Sequence, residues 1–480
     1  MSMSRRSFIV GSISGLTVLA VAACTESAPE PTPPMPSTRS DIPQPVAFQR
    51  TSWTSDPLAT GAFSYLPVGA TPEQRAVLRE PVDGRIFFAG EHTADVGPGT
   101  VQGARVSGRR VATDVLQRAQ PGERIAVVGA GLAGATAARI LSDAGFEVVV
   151  IEGRERAGGR ISTFSGDEWP FPIELGAAVI HDAGSNSLSN ALAAARIETT
   201  PVEARVERRT RAGAVAAESD VAEDALLEAR TWAEGQLTDL SIADALVESG
   251  AAELSDESGE GGISDADRLE NYVTADLGTA AGADVDDLSA WFAQPVPVLA
   301  EGDELVTGDF QSFVAAELEG IDVLPSSHVS HITTTEHGVS LRLVRGESYS
   351  AERVVVTVPL GVLKAGTIEF EPPLPFSHRG AISALGMGLQ DKVLLRFEKP
   401  FWSTDAAVWT VIDGDTDFPL WLNLLPATGE AILVGLTGGE AAQRLAEYGD
   451  QEVLDAALAS LEPFLDPSLA SPRPSSGVGG

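Results

Sequence analysis

The stretch from residue 124 to 153 places the tightest constraint on the fold. It reads RIAVVGAGLAGATAARILSDAGFEVVVIEG, in which an apolar strand, a glycine-rich turn, a helix and a second apolar strand follow one another. We predict strands at 125–128 and 147–151, with a helix from about Leu132 to Ala144. This order is that of a βαβ unit, in which both strands lie parallel in one sheet and the helix packs on its face.

The turn in this unit predicts a binding site for a nucleotide diphosphate. It has the spacing Gly129-x-Gly131-x-x-Gly134 directly after the strand. The first glycine permits a tight turn, the second lets a pyrophosphate approach the backbone, and the third lets helix and strand pack closely. The free N–H groups at the helix N-terminus favour an anion. Glu152, at the end of the second strand, is placed to accept hydrogen bonds from a ribose.

A second glycine turn narrows the choice of dinucleotide. Residues 153–163 read GRERAGGRIST, and nicotinamide-dependent enzymes do not need such a turn. It resembles the extended motif of flavoproteins in the amine oxidase and glutathione reductase group. The resemblance implies that FAD is the cofactor, with Gly159 and Arg160 near its diphosphate.

Three further stretches carry a more specific resemblance. They are ELGAAVIH at 174–181, VVVTVPLGVLKAGTIEFEPPLP at 354–375 and AISALGMGLQDKVLLRFEKPFW at 381–402. In this order and spacing they resemble the flavin-containing amine oxidases, in particular the branch of polyamine oxidases and histone demethylases, over about residues 46–465. The resemblance implies an α/β fold with a Rossmann-like FAD-binding domain and an α+β substrate domain that contains a mixed sheet.

Both domains are expected to be discontinuous in sequence. The FAD-binding domain is predicted at 46–118, 124–182 and 300–365, the substrate domain at 183–299 and 366–468, and a flexible tail at 469–480.

One stretch with the family's features lies in an unexpected place. FFAGEHTADVGPGTVQGA at 87–104 resembles the family's last motif, which closes on the flavin ring, yet here it precedes the glycine-rich turn. We interpret this order as a circular permutation, with the old ends joined through 117–123 and new ends between about Leu465 and Pro45. A scrambled or misassembled gene is the alternative. The permutation predicts that 85–116 packs beside the strand at 125–128 and the loop at 129–134, since such changes preserve the fold.

The resemblance assigns roles to residues around the flavin. It implies that Gly90 and Glu91 lie at the ribityl chain and that the backbone of Val329 holds the adenine. It also implies that the helix N-terminus at Thr100 and Val101 faces the pyrimidine end of the ring. Negative charge collects there on reduction, so a helix dipole at that end favours reduction.

The same resemblance describes the surroundings of the ring. The flavin is expected to be non-covalent, because the branch that attaches it uses a cysteine where this chain has Ala62. Phe63 and Thr100 stand at the two walls of the substrate cage, so one aromatic wall is kept and the other is open. Trp421 is a third candidate cage residue, with a place in the core of the sheet as the alternative.

Two side chains are predicted to act in catalysis. Lys392 matches the family lysine that holds a water against flavin N5, where its charge would favour reoxidation by oxygen. His181 matches a position near the substrate. The glycine expected after it is replaced by Asp182, an acid that could bind a second ammonium group and could equally be solvated. No metal site is predicted.

The N-terminus has the features of an export signal. Residues 4–9 read SRRSFI, a twin-arginine region, and a short apolar stretch follows, too short for a membrane span. VAAC at 21–24 resembles a bacterial lipobox, which implies cleavage before Cys24 and its lipidation. We therefore predict a signal peptide at 1–23, a Pro-rich tether at 24–45, and a lipid anchor on the outer face of the cytoplasmic membrane.

Charge limits the partners of the protein. Asp and Glu number 68 against 33 Lys and Arg, a formal net charge of −35. Such a surface argues against nucleic acid and raises the local concentration of cations. The acidic segment 251–287 could draw a cationic amine to the entrance or could be a solvated face. A small cationic amine and molecular oxygen are the expected partners, and the sequence indicates no oligomeric state.

The predicted reaction is the oxidation of a polyamine or another primary or secondary amine. Hydride transfer to flavin N5 would give an imine, which water hydrolyses to an aldehyde, and oxygen would give hydrogen peroxide. An L-amino-acid oxidase is the nearest alternative, although Val179 stands where that branch carries an arginine for the substrate carboxylate. A dehydrogenase with another electron acceptor and a non-catalytic surface lipoprotein are the remaining alternatives, and the retained Lys392 disfavours the last.

Overall fold

The structure, a computed structural model, describes residues 40–259, 262–412, 414 and 416–469. The predicted signal peptide, Cys24, most of the tether and the tail beyond 469 therefore lie outside the described residues. In the described part of the chain, the strands are β1 (Ala47–Arg50), β2 (Phe63–Tyr65), β3 (Ile86–Phe88), β4 (Arg124–Val128), β5 (Glu147–Ile151), β6 (Thr163–Phe164), β7 (Ile173–Glu174), β8 (Val179–Ile180), β9 (Thr199–Pro201), β10 (Val206–Thr210), β11 (Glu304–Val306), β12 (Asp322–Leu324), β13 (Val329–Thr335), β14 (Gly338–Leu343), β15 (Ser348–Ala351), β16 (Arg353–Val356), β17 (Glu369–Glu371), β18 (Gly386–Gly388), β19 (Gln390–Arg396), β20 (Val408–Ile412), β21 (Leu420–Asn423) and β22 (Ile432–Gly438). The helices are α1 (Pro72–Arg79), α2 (Val101–Leu116), α3 (Leu132–Asp143), α4 (Ser187–Ala194), α5 (Val221–Ala233), α6 (Ile242–Ser249), α7 (Asp265–Asn271), α8 (Thr279–Ala281), α9 (Phe310–Glu317), α10 (Leu360–Ala365), α11 (Phe376–Ala384), α12 (Leu425–Thr428), α13 (Gly439–Leu445) and α14 (Asp450–Ser460), with a π-helical turn at Tyr272–Gly278.

A parallel sheet joins strands that are far apart in sequence. Its order is β12-β5-β4-β16-β3, and every pair in it is parallel. The β4–α3–β5 unit is the one predicted from the glycine-rich stretch. Side chains of α2, α3 and α9 form a hydrophobic core on one face of this sheet, and side chains of β13, β14 and α11 form a core on the other. Strands covered on both faces need continuous apolar runs, which explains their sequences.

The early segment 85–116 joins this sheet and its covering helices. In β3, Phe87 pairs with Val355 of β16, and β16 in turn pairs with β4. The segment packs beside the strand at 125–128 as predicted, because Val111 and Val115 of α2 share a hydrophobic core with Ile125 and Val127, although β16 lies between β3 and β4 within the sheet. The helix meets the turn as predicted: α2 packs on α3, and a Cβ at Gly108 would lie 2.4 Å from the carbonyl oxygen of Ala133.

The second large sheet is mixed. Its order is β1-β19-β22-β21-β20-β10, with all pairs antiparallel except β10 and β20, which run parallel. Alternate residues of its strands enter two different hydrophobic cores, as expected for a sheet covered on both faces. A parallel sheet beside a mixed sheet is the architecture that the sequence predicted.

Two predicted domain limits differ from the sheets that form. Strand β1 falls in the range assigned to FAD binding, but it pairs with β19 in the mixed sheet. Strand β17 falls in the range assigned to the substrate domain, but it pairs with β13 beneath the parallel sheet. Sequence position is a weak guide here because the chain passes between the two sheets several times.

The folded part also begins earlier than the tether prediction allowed. Ile42 is 3% exposed and packs with Val393 and Leu395. The hydroxyl of Ser40 donates a hydrogen bond to the carbonyl oxygen of Leu458 at 3.3 Å. Residues 40–45 are thus part of the fold. Within the described ranges, no helix combines the length and apolar character needed to cross a bilayer.

Substituting alanine for glycine should have opposite effects on stability inside and outside the contact between α2 and α3. Gly108→Ala should destabilise the protein by about 1–3 kcal/mol, because its Cβ would push the two helices apart. Gly380 lies inside α11 with open space where a Cβ would be, so Gly380→Ala should stabilise it by about 0.5–1 kcal/mol. Urea unfolding measures both changes. Equal free energies of unfolding for the two variants would contradict the close helix contact.

Candidate functional site

A cavity of about 1190 Å³ runs from the glycine-rich turn to the mixed sheet. Sites for one small molecule occupy roughly 300–1,000 Å³, so this cavity has room for a dinucleotide and a second molecule. The predicted site residues that line it are Phe63, Gly90, Glu91, Thr100, Val101, Gly129, Gly131, Glu152, Gly159, Arg160, His181, Val329 and Lys392. Two predicted residues, Gly134 and Trp421, do not line the cavity.

The glycine-rich turn fits a pyrophosphate. Gly129 has a φ of +106°, and a Cβ there would lie 2.6 Å from Thr357 Oγ1. A Cβ at Gly134 would lie 2.0 Å from the carbonyl oxygen of Gly129. At Gly131 the nearest atom would be 3.8 Å away, so this glycine leaves the backbone open towards the cavity. The first and third positions therefore admit only glycine, and the second forms the cradle for an anion.

Glu152 braces this cradle. Its Oε2 accepts a hydrogen bond from the N–H of Ala130 at 2.7 Å, and its Oε1 accepts one from the N–H of Arg154 at 2.7 Å. The Arg154 side chain is held in turn by Asp56 at 2.7 Å. The carboxylate thus fixes the first glycine turn relative to the second at the place predicted for the ribose.

Glu91 is the most heavily bonded acid in the cavity. Its Oε1 lies 3.0 Å from Nη1 of Arg160, and its Oε2 accepts hydrogen bonds from the Ser64 hydroxyl at 2.6 Å and the Gly99 N–H at 3.0 Å. Burial alone would raise its pKa, but Arg160, Arg75 and the Ser64 hydroxyl are among the neighbours that hold it at about 2. Glu91 is therefore ionised at physiological pH and fixes the position of Arg160.

Arg75 belongs to the same cluster and was not predicted. Its side chain is buried in α1 and donates to the Ser64 hydroxyl at 2.7 Å and to the carbonyl oxygen of His92 at 3.1 Å. An arginine in an amphipathic surface helix gives no sequence signal of burial. It compensates the charge of Glu91 at the cavity wall.

The N-terminus of α2 opens onto the cavity beside this cluster. Thr100 caps the helix, with its hydroxyl accepting a hydrogen bond from the N–H of Gly103 at 3.1 Å. Val101 and Phe63 line the cavity next to it. The positive end of the helix dipole is thus directed at the space where the sequence predicts the flavin ring.

Lys392 and Glu174 form the titrating pair at the other end. Lys392 faces the cavity rather than bulk solvent, and its ammonium donates to the carbonyl oxygen of Gly176 at 2.7 Å. Burial lowers the pKa of Lys392 to about 8, while the charge of Glu174 acts in the opposite direction. Burial raises the pKa of Glu174 to about 7, against the effect of the Thr163 hydroxyl that donates to its Oε1 at 2.6 Å.

Glu174 was missed as a site residue although its ELGA motif was recognised. Its side chain is 4% exposed and lines the cavity, and its Oε2 has no hydrogen-bond partner in the protein. A buried carboxylate oxygen without a partner is costly, so this atom is a candidate for contact with a ligand. The position of Glu174 two residues before the glycine that binds Lys392 was the available signal.

His181 is held by an acid that the sequence did not reveal. Its Nδ1 lies 2.8 Å from Oδ2 of the buried Asp303, which also accepts the N–H of Asp182 at 3.0 Å. This pairing assigns the proton to Nδ1 and leaves Nε2 for the cavity. The Asp182 side chain is exposed, bonds to the Ser185 hydroxyl and does not line the cavity.

Two expectations about the substrate region need correction. Trp421 is buried on the opposite face of β21 from Leu422, packs against Phe418 and donates to the Ser460 hydroxyl at 3.0 Å. The prediction of Trp421 as a cage residue is wrong, because neighbouring strand residues point to opposite faces. Within the described part of 251–287, the residues that line the cavity are alanines, so its acids do not form the wall.

Comparison with known proteins agrees with this site. The family model described as "Flavin containing amine oxidoreductase" matches residues 31–116 and 132–478. Polyamine oxidase 4 of Oryza sativa subsp. japonica is 30% identical over 361 residues, which cover 71% of this chain and 72% of that protein. Lysine-specific histone demethylase 1 homolog 2 of Arabidopsis thaliana is 31% identical over 341 residues, which cover 67% of this chain and 44% of that protein.

Solved structures share the fold at lower identity. Cyclohexylamine oxidase from Brevibacterium oxydans IH-35A superposes with a TM-score of 0.59 and 22% identity, covering 74% of this chain and 83% of that one. A putrescine oxidase variant superposes with a TM-score of 0.57 and 22% identity, covering 73% and 83%.

The fold and the site define a flavin-dependent oxidoreductase with the amine oxidase fold. The chain belongs to the flavin-containing amine oxidoreductase family. Its cofactor is FAD, and the glycine cradle, Glu152 and the helix N-terminus at Thr100 are groups that fit it. No cysteine lies in the described residues, in agreement with a non-covalent flavin. The predicted family, fold class and cofactor are thereby confirmed.

His92 makes the stability of this site depend on pH. It is 1% exposed, and neither ring nitrogen has a hydrogen-bond partner in the protein. Burial lowers its pKa from 6.5 to about 4. The unfolded chain takes up a proton below pH 6.5, whereas the folded protein does so only near pH 4. Stability should therefore be lost as pH falls from 6.5 to 4, by about 3 kcal/mol in total.

The measurement is the free energy of unfolding of the wild type and of His92→Phe between pH 7.5 and 4. Other titrating groups contribute equally to both proteins, so the difference isolates His92. Parallel curves would contradict a buried neutral His92.

Proposed function

We propose that the enzyme oxidises the Cα–N bond of an amine. The substrate loses a hydride from Cα and a proton from nitrogen, and the imine takes up water to give an aldehyde or ketone and the released amine or ammonia. Oxygen takes the two electrons and two protons and becomes hydrogen peroxide. FAD supplies the chemistry that accepts the hydride at N5 and passes the electron pair to oxygen. The observation that carries the proposal is the single cavity that joins the dinucleotide cradle to Lys392.

The chain's own groups prepare the substrate at the Lys392 end. An ammonium substrate must lose a proton before its nitrogen lone pair is available. The carboxyl group of Glu174 is the group placed to receive it, because Glu174 lines the cavity, its buried Oε2 has no partner in the protein, and its pKa of about 7 suits proton exchange near neutral pH. Lys392, held by Gly176, directs a positive charge at the space predicted for flavin N5. The apolar side chains around them exclude water.

The pairing of the arginines that line the cavity favours an amine over an amino acid as the substrate. A substrate carboxylate would need an unengaged arginine near Lys392. Among the described residues, the arginines that line the cavity are Arg75, Arg79, Arg154 and Arg160. Each already has a partner: Ser64, Asp95, Asp56 and Glu91, respectively. An L-amino-acid oxidase remains the second candidate, and substrate tests distinguish the two.

Flavin spectroscopy on the chain from residue 40 tests the reaction. Anaerobic addition of amines should bleach the flavin, and addition of L-amino acids should not. Lys392→Met should slow reoxidation by oxygen by roughly 100-fold, the size of effect that a lost electrostatic contact has at a developing charge. Lys399→Met, at an exposed position outside the cavity, should leave it unchanged. Bleaching by amino acids alone would overturn the amine proposal.

We infer further that the chain is circularly permuted. Residues 117–123, which join α2 to β4, are mostly exposed, as a join between former ends would be. Ser40 contacts Leu458, so the two ends of the described fold lie close together, as a cut loop would leave them. Segment 85–116 supplies a strand, a helix and Glu91 to the site in spite of its early position.

A rearranged chain in which segment 40–117 follows segment 123–469 tests this inference. It would begin at residue 123, run to 469, continue through a short Gly/Ser linker into residue 40 and end at 117. We expect it to fold and to bind FAD with an affinity within roughly tenfold of the wild type, since the lost contacts are those of residues 118–122, such as the hydrogen bond from Arg353 to the carbonyl oxygen of Arg118. Visible absorbance and gel filtration measure the outcome. A colourless aggregate from a chain that is fully translated would contradict the permutation.

We also propose export by the twin-arginine route and lipid anchoring at Cys24 to the outer face of the cytoplasmic membrane. The support is the SRRSFI motif at residues 4–9 and the VAAC motif at residues 21–24. Metabolic labelling with a radioactive fatty acid should mark the mature protein when the full sequence is expressed in a bacterial host, and Cys24→Ala should abolish the label. Undiminished labelling of Cys24→Ala would reject this anchor site.

A further inference from the structure

The cavity wall beside Lys392 is one apolar face of the mixed sheet. Lys392 in β19 lies opposite Leu436 in β22. Two residues along, Leu394 lies opposite Val434, which also pairs with Leu422 in β21. Alternate strand residues share a face, and all five residues line the cavity. Next to the ammonium of Lys392, this part of the wall is therefore hydrocarbon.

A second apolar wall comes from β7, β8, β11 and residues near them. It contains Phe171, Ile173, Leu175, Val179 and Leu305, which line the cavity and belong to the same hydrophobic cluster as the sheet face. A molecule that lies against these two walls exchanges water for hydrocarbon. Apolar surface on such a molecule is stabilised by this exchange.

Nearly every carboxylate around the cavity is already engaged by the protein. Among the described residues, the acids that line it are Glu91, Asp95, Glu152, Glu174 and Asp391. Asp391 accepts hydrogen bonds from the Thr51 hydroxyl at 2.6 Å and from the N–H of Trp53 at 2.7 Å. Asp95 pairs with Arg79 at 3.5 Å, and its side chain is 64% exposed, so it is a solvated carboxylate and not a buried one. Glu91 and Glu152 are bonded as described above, which leaves Oε2 of Glu174 as the buried carboxylate oxygen without a partner.

The acid behind His181 is engaged too. Asp303 accepts hydrogen bonds from His181, from the N–H of Asp182 and from the N–H of Ala300 at 2.8 Å. His181 itself offers a ring nitrogen and not a carboxylate. Among the described residues, the substrate end thus provides one carboxylate with a buried, unpartnered oxygen, that of Glu174.

On the basis of the amine oxidation proposed above, we propose that the substrate carries one basic nitrogen on an apolar alkyl, cycloalkyl or aryl body, and that diamines and polyamines are poor substrates. The nitrogen lies at the Glu174–Lys392 end, and the apolar body lies against the two walls. A second ammonium group would lose its hydration against these walls without gaining a carboxylate. Burying an unmatched charge is the strongest form of discrimination that such a pocket offers.

Hexylamine and 1,6-diaminohexane form a matched pair for the test, because they share a six-carbon chain and differ in the second amine. We expect kcat/KM and the anaerobic rate of flavin reduction to favour hexylamine by at least roughly 100-fold. Benzylamine and cyclohexylamine should behave like hexylamine, and spermidine should behave like the diamine.

A charge placed on the sheet face should reverse the preference. Leu422 is two strand spacings, about 10 Å, from the strand of Lys392, so Leu422→Asp offers a carboxylate to a distal ammonium. It should shift the diamine-to-monoamine ratio of kcat/KM at least roughly tenfold towards the diamine. Leu422→Asn, with the same shape and no charge, should not. If neither variant folds, the ratio of kcat/KM for hexylamine and 1,6-diaminohexane on the wild type tests the proposal by itself.

The outcomes separate this inference from the reaction on which it rests. Reduction of the flavin by 1,6-diaminohexane or spermidine as efficiently as by hexylamine would overturn the single-nitrogen substrate and leave amine oxidation intact. A flavin that none of these amines reduces would overturn the proposed reaction itself.

Discussion

The buried carboxylate of Glu91 is the interaction on which the site depends. It binds the Ser64 hydroxyl, the N–H of Gly99 and the guanidinium of Arg160, which come from chain segments otherwise far apart. A charge in this position is tolerated only because cations and hydroxyls surround it. The same bonds fix the second glycine turn against the N-terminus of α2, so the two ends of the cofactor cavity are tied together by one side chain.

Much of this arrangement was predictable from local pattern. Glycine spacing, strand periodicity and an acid after the second strand are governed by backbone sterics and by anion binding, which act over a few residues. They identified the β4–α3–β5 unit and Glu152. The family resemblance added Lys392, His181 and Glu91, and all of these residues line the cavity.

The rest depends on contacts between distant segments. The burial of Arg75 is determined by Ser64 and His92 and not by its own helix, and Asp303 becomes a partner of His181 only through tertiary folding. The wrong prediction for Trp421 shows the same limit. Neighbouring residues of a strand point to opposite faces, so Leu422 lines the cavity while Trp421 lies in the core. The strand pairing of β1 with β19, and hence the domain limits, is likewise a long-range choice that local sequence does not specify.

The position of β3 at the edge of the parallel sheet has a consequence for how the chain folds. Its neighbour β16 is synthesised only after most of the chain has emerged, and β4 reaches β3 only through β16. In an unpermuted chain, segment 85–116 would come last, and β3 would be added to a sheet whose other strands had already been synthesised. Here the early strand must wait unpaired, and its non-local pairing raises the contact order of the fold. During synthesis, the apolar residues of β3 therefore need protection from aggregation until β16 has been made.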